Sequence, residues 1–498
     1  MSKELQRSAT GVPGLDEVLH GGLIPSRFYL IVGDPGAGKT TLALQYLLNG
    51  VKAGESCLYV TLSETKEELT DGARSHGWSL DGLNIIELIA DDRDLANGDE
   101  LTMYHPSEVE LTQTTRRVLE AVERINPTRM VFDSLSELRL LAQHSLRYRR
   151  QILALKQFFV SRKCTVLLLD DRTAEGPDLQ LQSIAHGVIS LHHQTPTYGK
   201  ALRQLKVVKF RGSDFISGLQ DFSIRRGGMS VYPRLVAQEH VTAFPRERVS
   251  SNVPALDKLL GGGIDRGTAT LLVGPAGTGK STVALQFATA VAAQGQHSAI
   301  FAFEESKSLL QARAEALGMR WKEGNGPGEI QIRQIDPAEI APGEFASLVR
   351  EAVEGNDARV IVIDSLNGYL NAMPEDRYLV AQLHEMLAYL NNRGVATFLI
   401  AANSGMLGAG PRSTIDASYL ADSVILLRMF EMEGSLKKAI SVIKKRSGRH
   451  EETIRQISFD ERGLHLSEPL SYLHGVLTGT PVNVPKDRNE SAGAPDVS

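Results

Sequence analysis

Residues 29–45 read YLIVGDPGAGKTTLALQ, and residues 270–286 repeat the pattern as TLLVGPAGTGKSTVALQ. Each stretch places G-x-x-x-x-G-K-[ST] between an apolar run and a helix-forming segment, which is the context that a Walker A phosphate-binding loop requires. The glycines let backbone N–H groups surround phosphate oxygens, and the start of the following helix adds the positive end of its dipole. The sequence therefore predicts two nucleotide-binding loops, one in each half of the chain.

The two loops predict nucleotide-binding residues with separate roles. We expect Lys39 and Lys280 to reach the outer phosphates and to take part in catalysis, and Thr40 and Ser281 to ligate Mg²⁺. The predicted nucleotide-binding positions of the first loop are Gly33, Asp34, Pro35, Gly36, Ala37, Gly38, Lys39, Thr40 and Thr41. Those of the second loop are Gly274, Pro275, Ala276, Gly277, Thr278, Gly279, Lys280, Ser281 and Thr282.

The rest of the chain is also written twice, which sets the domain organisation. Asp16 recurs as Asp257, and RMVFDSL at 129–135 recurs as VIVIDSL at 360–366. With 498 residues the chain exceeds the roughly 250 to 300 residues that a single core supports. We predict one domain over residues 1–240, a second over 241–480, and a disordered polar tail over 481–498.

Short runs of Val, Ile and Leu alternate with longer helical segments in both halves. FYLIVG, TVLLLD and ATFLIAA are typical of buried strands, whereas LAQHSLRYRRQILALKQFF has helical spacing. Continuous apolar strands that alternate with helices indicate a mostly parallel sheet covered on both faces. Each half is therefore predicted to be an α/β domain.

The composition restricts the location and the partners of the protein. The formal net charge of -5 gives no broad positive field to attract nucleic acid. No run approaches the ~20 apolar residues that span a bilayer, and the amino terminus lacks an apolar signal segment, so we expect a cytoplasmic protein without membrane contact. Cys57 and Cys164 lie in apolar runs and are interpreted as core residues.

Asp133 and Asp364 each end an apolar strand, where a carboxylate emerges beside the phosphate loop. They resemble Walker B aspartates, which hold Mg²⁺ together with its waters. The alternative for each is an aspartate that caps the next helix.

Hydrolysis also needs a group that orients or deprotonates the attacking water, and a carboxylate on a neighbouring strand is the usual source. The second half offers Glu304 and Glu305 in IFAFEES, whereas the aligned LYVTLSET of the first half offers Ser63 and Glu64. A serine hydroxyl is not a base at neutral pH without help. If the first Glu of the pair is the base, the first domain has lost it, so its capacity for hydrolysis is left open.

The doubled Walker domain, the EES element, the IDSL strand and residues 421–459 (ADSVILLRMFEMEGSLKKAISVIKKRSGRHEETIRQISF) together resemble the KaiC family of circadian clock ATPases and autokinases. The late LTGTPV adds to this likeness, which covers nearly the whole chain. The resemblance implies two tandem RecA-like P-loop NTPase domains that bind ATP and Mg²⁺, in a homohexameric double ring with ATP at subunit interfaces. It also implies serine/threonine autokinase activity and regulators similar to KaiA or KaiB that meet the carboxyl-terminal segment.

The same resemblance implies cations that reach a neighbouring subunit's γ-phosphate. Lys209 and Arg211 in KVVKFRG, and Lys444 and Arg446 in VIKKRSG, match the family's positions. Arginine fingers of this kind contribute about 10³ to 10⁵ in rate. The alternative is four solvated charges at strand edges.

The family's second domain transfers phosphate to a serine and a threonine that precede a strand. Ser418 in STIDASYLADSVILL matches the serine, whereas Tyr419 stands in place of the threonine. The resemblance therefore implies autophosphorylation of Ser418, with Glu304 accepting its proton, and leaves modification of Tyr419 open. A structural role for the Ser418 hydroxyl is the alternative.

Two other function classes remain. One is a RecA- or RadA-like DNA-dependent ATPase that grips DNA through ring-lining loops. The other is a nucleotide-gated scaffold that signals through partners with little turnover.

Overall fold

The computed structural model of the protein describes residues 7–88, 106–172, 179–197, 199–371, 378–402, 419–478 and 481–483. The chain divides into two compact units, Met1–Arg234 and Leu235–Ser498. No helix within these described residues has the length and apolar character needed to cross a membrane.

The first unit is a mixed sheet flanked by helices. Its strands are β1 Phe28–Gly33, β2 Cys57–Thr61, β3 Asn84–Glu87, β4 Arg129–Asp133, β5 Thr165–Asp171, β6 Gly187–Gln194, β7 Leu202–Phe210, β8 Leu219–Arg225 and β9 Gly228–Tyr232. Its helices are α1 Leu15–Val18, α2 Lys39–Lys52, α3 Lys66–Ser75, α4 Pro106–Ile125, α5 Leu135–Ala142, α6 Ser145–Ser161 and α7 Leu179–Ile184.

The strand order of this sheet brings the polar strand ends to one edge. The described strands follow the order β3-β2-β4-β5-β1-β6-β7-β8-β9, parallel from β3 to β6 and antiparallel from β6 to β9. Parallel neighbours end together, so the carboxyl ends of β2, β4 and β5 lie beside the loop that follows β1. This edge is where ligands bind in open α/β sheets.

The second unit repeats this architecture. Its strands are β10 Arg248–Val249, β11 Ile264–Asp265, β12 Ala269–Gly274, β13 His297–Ala302, β14 Lys322–Glu323, β15 Glu329–Gln334, β16 Ala358–Asp364, β17 Ala396–Ala402, β18 Ser423–Met432, β19 Ser435–Lys445, β20 Arg455–Asp460, β21 Gly463–Pro469, β22 Leu473–His474 and β23 Val482–Asn483. Its helices are α8 Pro254–Leu259, α9 Lys280–Ala293, α10 Lys307–Ala316, α11 Pro342–Glu354, α12 Leu366–Asn371 and α13 Leu379–Asn392.

The large sheet of the second unit has the order β14-β15-β13-β16-β17-β12-β18-β19-β20-β21 among the described strands. It matches the first sheet strand for strand, with β14 added at one edge. The predicted α/β class with two tandem RecA-like domains is confirmed.

The central strands are buried because helices cover the sheet. All five residues of β2 and of β4 are buried, which explains their continuous apolar sequence. Helix α6 turns Tyr148, Ile152, Leu155 and Phe159 inward at helical spacing. Cys57 and Cys164 are buried free thiols, as the sequence indicated.

The segment after the first unit packs on the second. Leu235 is only 5% exposed and belongs to the second unit's core. Within the 3₁₀ turn Ala237–His240, the His240 ring meets Tyr389 edge-on, and its Nδ1 lies 3.2 Å from Glu354 Oε1. Residues 235–240 are therefore part of the second unit's fold.

Two local features differ from the sequence prediction. The single helical segment predicted around residues 141–159 is split between α5 and α6, because Gln143 adopts a left-handed conformation (φ 55°). Within the predicted disordered tail, β23 pairs with β22, whereas residues 484–498 lie outside the described residues.

Two candidate nucleotide sites

Each phosphate loop joins a central strand to a helix whose first residue is the Walker lysine. The glycine before each lysine has a positive φ, 103° at Gly38 and 101° at Gly279. A Cβ at Gly38 would lie 2.5 Å from Ile224 Cδ1, and one at Gly279 would lie 2.3 Å from Phe459 Cζ. Only glycine fits these positions, because both the backbone conformation and the neighbouring side chain exclude a Cβ.

The Walker lysines are buried cations that face carbonyl oxygens. Lys39 is 8% exposed, and its Nζ donates to the carbonyls of Gly33 (3.0 Å) and Asp34 (3.1 Å). Lys280 is 7% exposed and donates to Gly274 and Pro275, both at 2.8 Å.

Burial lowers the pKa of Lys280, an effect that the charges of Asp364 and Glu304 oppose. A phosphate at this position would supply the anion that a buried ammonium needs.

The predicted metal ligands lie next to each other in both sites. In the first unit, burial raises the pKa of Asp133, while hydrogen bonds from Tyr59 and Thr40 and the charge of Lys39 act against this rise. In the second unit, burial raises the pKa of Asp364, and a hydrogen bond from Ser281 acts against it.

Each site thus pairs one strand-end carboxylate with the hydroxyl that follows the Walker lysine. No cluster of three or more His, Cys, Asp or Glu that could hold a metal appears in the described parts of the chain. One carboxylate and one hydroxyl suit Mg²⁺, which takes few protein ligands and completes its shell with waters and phosphate oxygens. The residues present therefore fit MgATP better than a metal bound by protein alone.

The remaining predicted loop residues lie in the same two turns. Thr278 Oγ1 donates to the carbonyl of Pro275 at 2.8 Å and closes the second loop, whereas Thr41 Oγ1 lies 3.4 Å from His76 Nε2. Those positioned between strand and helix are Asp34, Pro35, Gly36, Ala37, Pro275, Ala276 and Gly277, and Thr282 is buried in the first turn of α9.

The second unit brings a further carboxylate into its site. Ser365, which follows Asp364, donates its hydroxyl to Glu304 Oε1 at 2.5 Å. Glu304 thus lies beside the strand that ends at Asp364, and its charge acts to raise the pKa of Lys280.

Glu305 is engaged differently, because Arg313 of α10 lies 2.9 Å from its Oε2. Burial raises the pKa of Glu305, and Arg313 acts against this rise. Sequence reasoning did not identify Arg313, since a helical arginine gives no local signal of this contact.

The first unit has a different arrangement at the matching positions. Ser63 is exposed, and burial raises the pKa of Glu64 with Asp133 adding to the effect. Tyr59 of β2 donates its phenolic hydroxyl to Asp133 Oδ2 at 2.5 Å, whereas the aligned residue of the second unit is Ile300. The prediction missed Tyr59 because a tyrosine in a buried strand looks like a core residue.

The sequence prediction also missed Asp171, the last residue of β5. Its Oδ1 lies 2.6 Å from Lys39 Nζ. Comparison of the two copies could have identified Asp171, since TVLLLDD in the first copy corresponds to ATFLIAA in the second, which lacks the acidic residues.

The four cations that the resemblance implies lie at strand ends and contact other residues of this chain. Lys209 Nζ donates to three carbonyls at the end of α7, those of Gln182 (2.6 Å), Ser183 (3.3 Å) and Ala185 (2.8 Å). Arg211 also donates to the carbonyl of Ser183, at 3.2 Å.

In the second unit, Lys444 donates to the carbonyl of Ala421 at 2.8 Å, and Arg446 donates to that of Tyr419 at 3.3 Å. The predicted phosphorylation site Ser418 lies outside the described residues, and Tyr419 is 53% exposed.

Comparison with known proteins gives consistent similarities. The family model described as "ATPase: KaiC" matches residues 8–236 and again 249–471. The circadian clock protein KaiC3 of Synechocystis is 26% identical over 485 residues, covering 96% of this chain and 95% of that protein.

The circadian clock oscillator protein KaiC of Thermosynechococcus vestitus is 25% identical over 495 residues, covering 98% of this chain and 94% of its own length. The corresponding protein of Synechococcus elongatus is 25% identical over 491 residues, covering 97% and 93%.

Proposed function

This chain belongs to the KaiC ATPase family, and from that premise we propose that it hydrolyses ATP and autophosphorylates on Ser418 as a signalling or clock hexamer. The observation that carries the proposal is the second-unit site, where Lys280 is a buried ammonium and Glu304 accepts a hydrogen bond from Ser365, the residue after Asp364. A buried cation, a metal-binding carboxylate and a second carboxylate are the groups that phosphoryl transfer requires.

In the proposed reaction, the second phosphate loop holds ATP through its backbone N–H groups, and Lys280 contacts the outer phosphates. Ser281 and Asp364 would hold Mg²⁺, which neutralises phosphate charge when bound. Glu304 accepts the proton of the attacking hydroxyl while the new O–P bond forms and the bond to the leaving ADP breaks. The acceptor is water for hydrolysis and the Ser418 hydroxyl of a neighbouring subunit for autophosphorylation.

In the proposed hexamer, the cations at the strand ends would contact the nucleotide of a neighbouring subunit. Arg211 and Arg446 are exposed on their own subunit and would reach a nucleotide bound by the next one. Lys209 would first have to release its three carbonyl contacts. Measurement of mass in solution with and without MgATP tests the assembly, and a monomer under both conditions would contradict it.

Mass spectrometry after incubation with MgATP tests the kinase proposal, with phosphate on Ser418 as the expected result. Glu304→Gln should bind ATP but lose both phosphorylation and second-site hydrolysis, by about 10² to 10⁴-fold for loss of a general base. Glu315→Gln, an exposed glutamate of α10, is the matched control and should behave as wild type. Turnover without any phosphate on Ser418 would remove the kinase part and leave the ATPase part.

Two further measurements separate the other function classes. Strong stimulation of hydrolysis by single-stranded DNA would favour a DNA-dependent ATPase. Partner exchange that survives Lys280→Ala without phosphate incorporation would favour a scaffold.

The carboxyl-terminal segment is proposed to bind regulators similar to KaiA or KaiB. Truncation at Leu477 should therefore change kinase activity, and unchanged phosphorylation of Ser418 in the truncated chain would contradict this role.

A further inference from the structure

The two nucleotide sites carry their extra carboxylate at the carboxyl ends of different strands. In the first sheet Gly33 pairs with Asp171, and in the second Gly274 pairs with Ala402, so these two residues occupy the same position. The position of Glu304 is likewise occupied by Ser63 in the first unit. At this pair of positions the first site has Ser63 and the acidic Asp171, whereas the second site has the acidic Glu304 and Ala402.

The backbone around Asp171 confirms this correspondence. The Asp171 N–H donates to Ser136 Oγ at 3.1 Å, just as the Ala402 N–H donates to Asn367 Oδ1 at 2.9 Å. The two strands thus end in the same way, and only the side chain differs. At this structurally equivalent position, the first unit has an aspartate and the second unit has an alanine.

Asp171 contacts the lysine that is expected to hold the outer phosphates of a nucleotide. Its Oδ1 is 2.6 Å from Nζ of Lys39, the atom expected to hold those phosphates. The Asp171 side chain is 38% exposed, so water reaches it. When Lys39 contacts a bound nucleotide instead, the Asp171 carboxylate would lose its partner and would lie beside the terminal phosphate.

We propose that Asp171 is the carboxylate that orients and deprotonates the attacking water in the first unit, the role assigned to Glu304 in the second. The inference rests on the proposed ATP hydrolysis and names the group that performs it at the first site. The water oxygen bonds to the γ-phosphorus as the bond from that phosphorus to the β-phosphate oxygen breaks. The water proton passes to the Asp171 carboxylate, and ADP and inorganic phosphate leave.

Glu64 is the competing candidate, because it lies near Asp133 and Lys39, whose charges affect its pKa. It aligns with Glu305, which in the second unit is paired with Arg313 while Glu304 contacts Ser365. The carboxylate that the first unit lacks is therefore the one at the Ser63 position, whereas Glu64 stands at the position of Glu305.

The test measures ATP turnover and ATP binding of the full chain carrying Lys280→Ala, which confines activity to the first site. In that background, Asp171→Asn should lower kcat by about 100-fold or more, the typical contribution of a general base. Binding of a fluorescent ATP analogue should be retained or tightened. Asp71→Asn, an exposed aspartate of α3, is the matched control and should keep the parent kcat.

Two results would overturn the inference. One is a fall in kcat of less than tenfold in Asp171→Asn with ATP binding intact. The other is wild-type turnover that Lys280→Ala abolishes completely while the first site still binds ATP. Absence of turnover in wild type would instead contradict the proposed function itself. If Asp171→Asn folds poorly, as its melting temperature would reveal, the same measurements on Asp171→Ser decide, with the same limits.

Discussion

The ion pair between Lys39 and Asp171 should weaken nucleotide binding at the first site, so Asp171→Asn should tighten it. The pair occupies the lysine that a nucleotide needs, with an Nζ–Oδ1 distance of 2.6 Å. Binding must break the pair and leave a second negative charge close to the phosphates. The asparagine side chain removes both costs without changing the size of the residue.

The magnitude follows from the exposure of the two partners. Lys39 is nearly buried, but the Asp171 side chain is 38% exposed, so solvent screens the pair considerably. A partly exposed pair of this kind contributes about 1 kcal/mol, which corresponds to roughly fivefold in Kd. The second site contains Ala402 at this position and should show no such effect.

Titration with a fluorescent ADP analogue measures this directly, because ADP binding involves no chemistry. The chain should carry Lys280→Ala to silence the second site, and Asp71→Asn again serves as the control. The difference between parent and Asp171→Asn should shrink as salt rises, since ions screen an exposed pair. Unchanged or weaker ADP binding in Asp171→Asn would refute the reasoning.

Three other outcomes are expected. Gly38→Ala should weaken ATP binding at the first site by about tenfold or more, because a Cβ there is strained and crowded; Gly54→Ala, also at positive φ but in open space, should leave affinity unchanged. Burial lowers the pKa of His186 to about 4, so the unfolded chain binds the proton more readily than the folded one. The melting temperature should therefore fall as pH drops from about 6.5 to 4, and His186→Asn should weaken this dependence of the melting temperature on pH. Arg313→Met removes the partner of Glu305 and should reduce second-site turnover by roughly tenfold while first-site turnover, measured with Lys280→Ala, stays constant.

Much of the fold could be predicted because its signals are local. The phosphate loops and the strands that precede them are written in contiguous residues, and both Asp133 and Asp364 end the strands that the sequence indicated. The antiparallel strands β7 to β9 follow one another along the chain, but polar residues interrupt their apolar runs, so apolar pattern alone identifies them poorly. The break at Gln143 was missed because helical spacing continues across it.

The candidate site was predicted less completely for a similar reason. The Walker residues follow a fixed spacing, whereas Tyr59, Asp171 and Arg313 reach the site from other elements. Their roles depend on which strands and helices are neighbours, and that arrangement became known only with the structure. For Asp171, comparison of the two copies of the sequence would have given a signal, because the second copy has Ala402 at this position.

The burial of Leu235 has a practical consequence for dividing the protein. A fragment that starts at residue 241 would leave a gap in the second core and remove the ring that packs on Tyr389. Expression of the carboxyl-terminal half alone should therefore begin before Leu235. The amino-terminal half should end no earlier than Arg234, whose backbone N–H donates to Gln220.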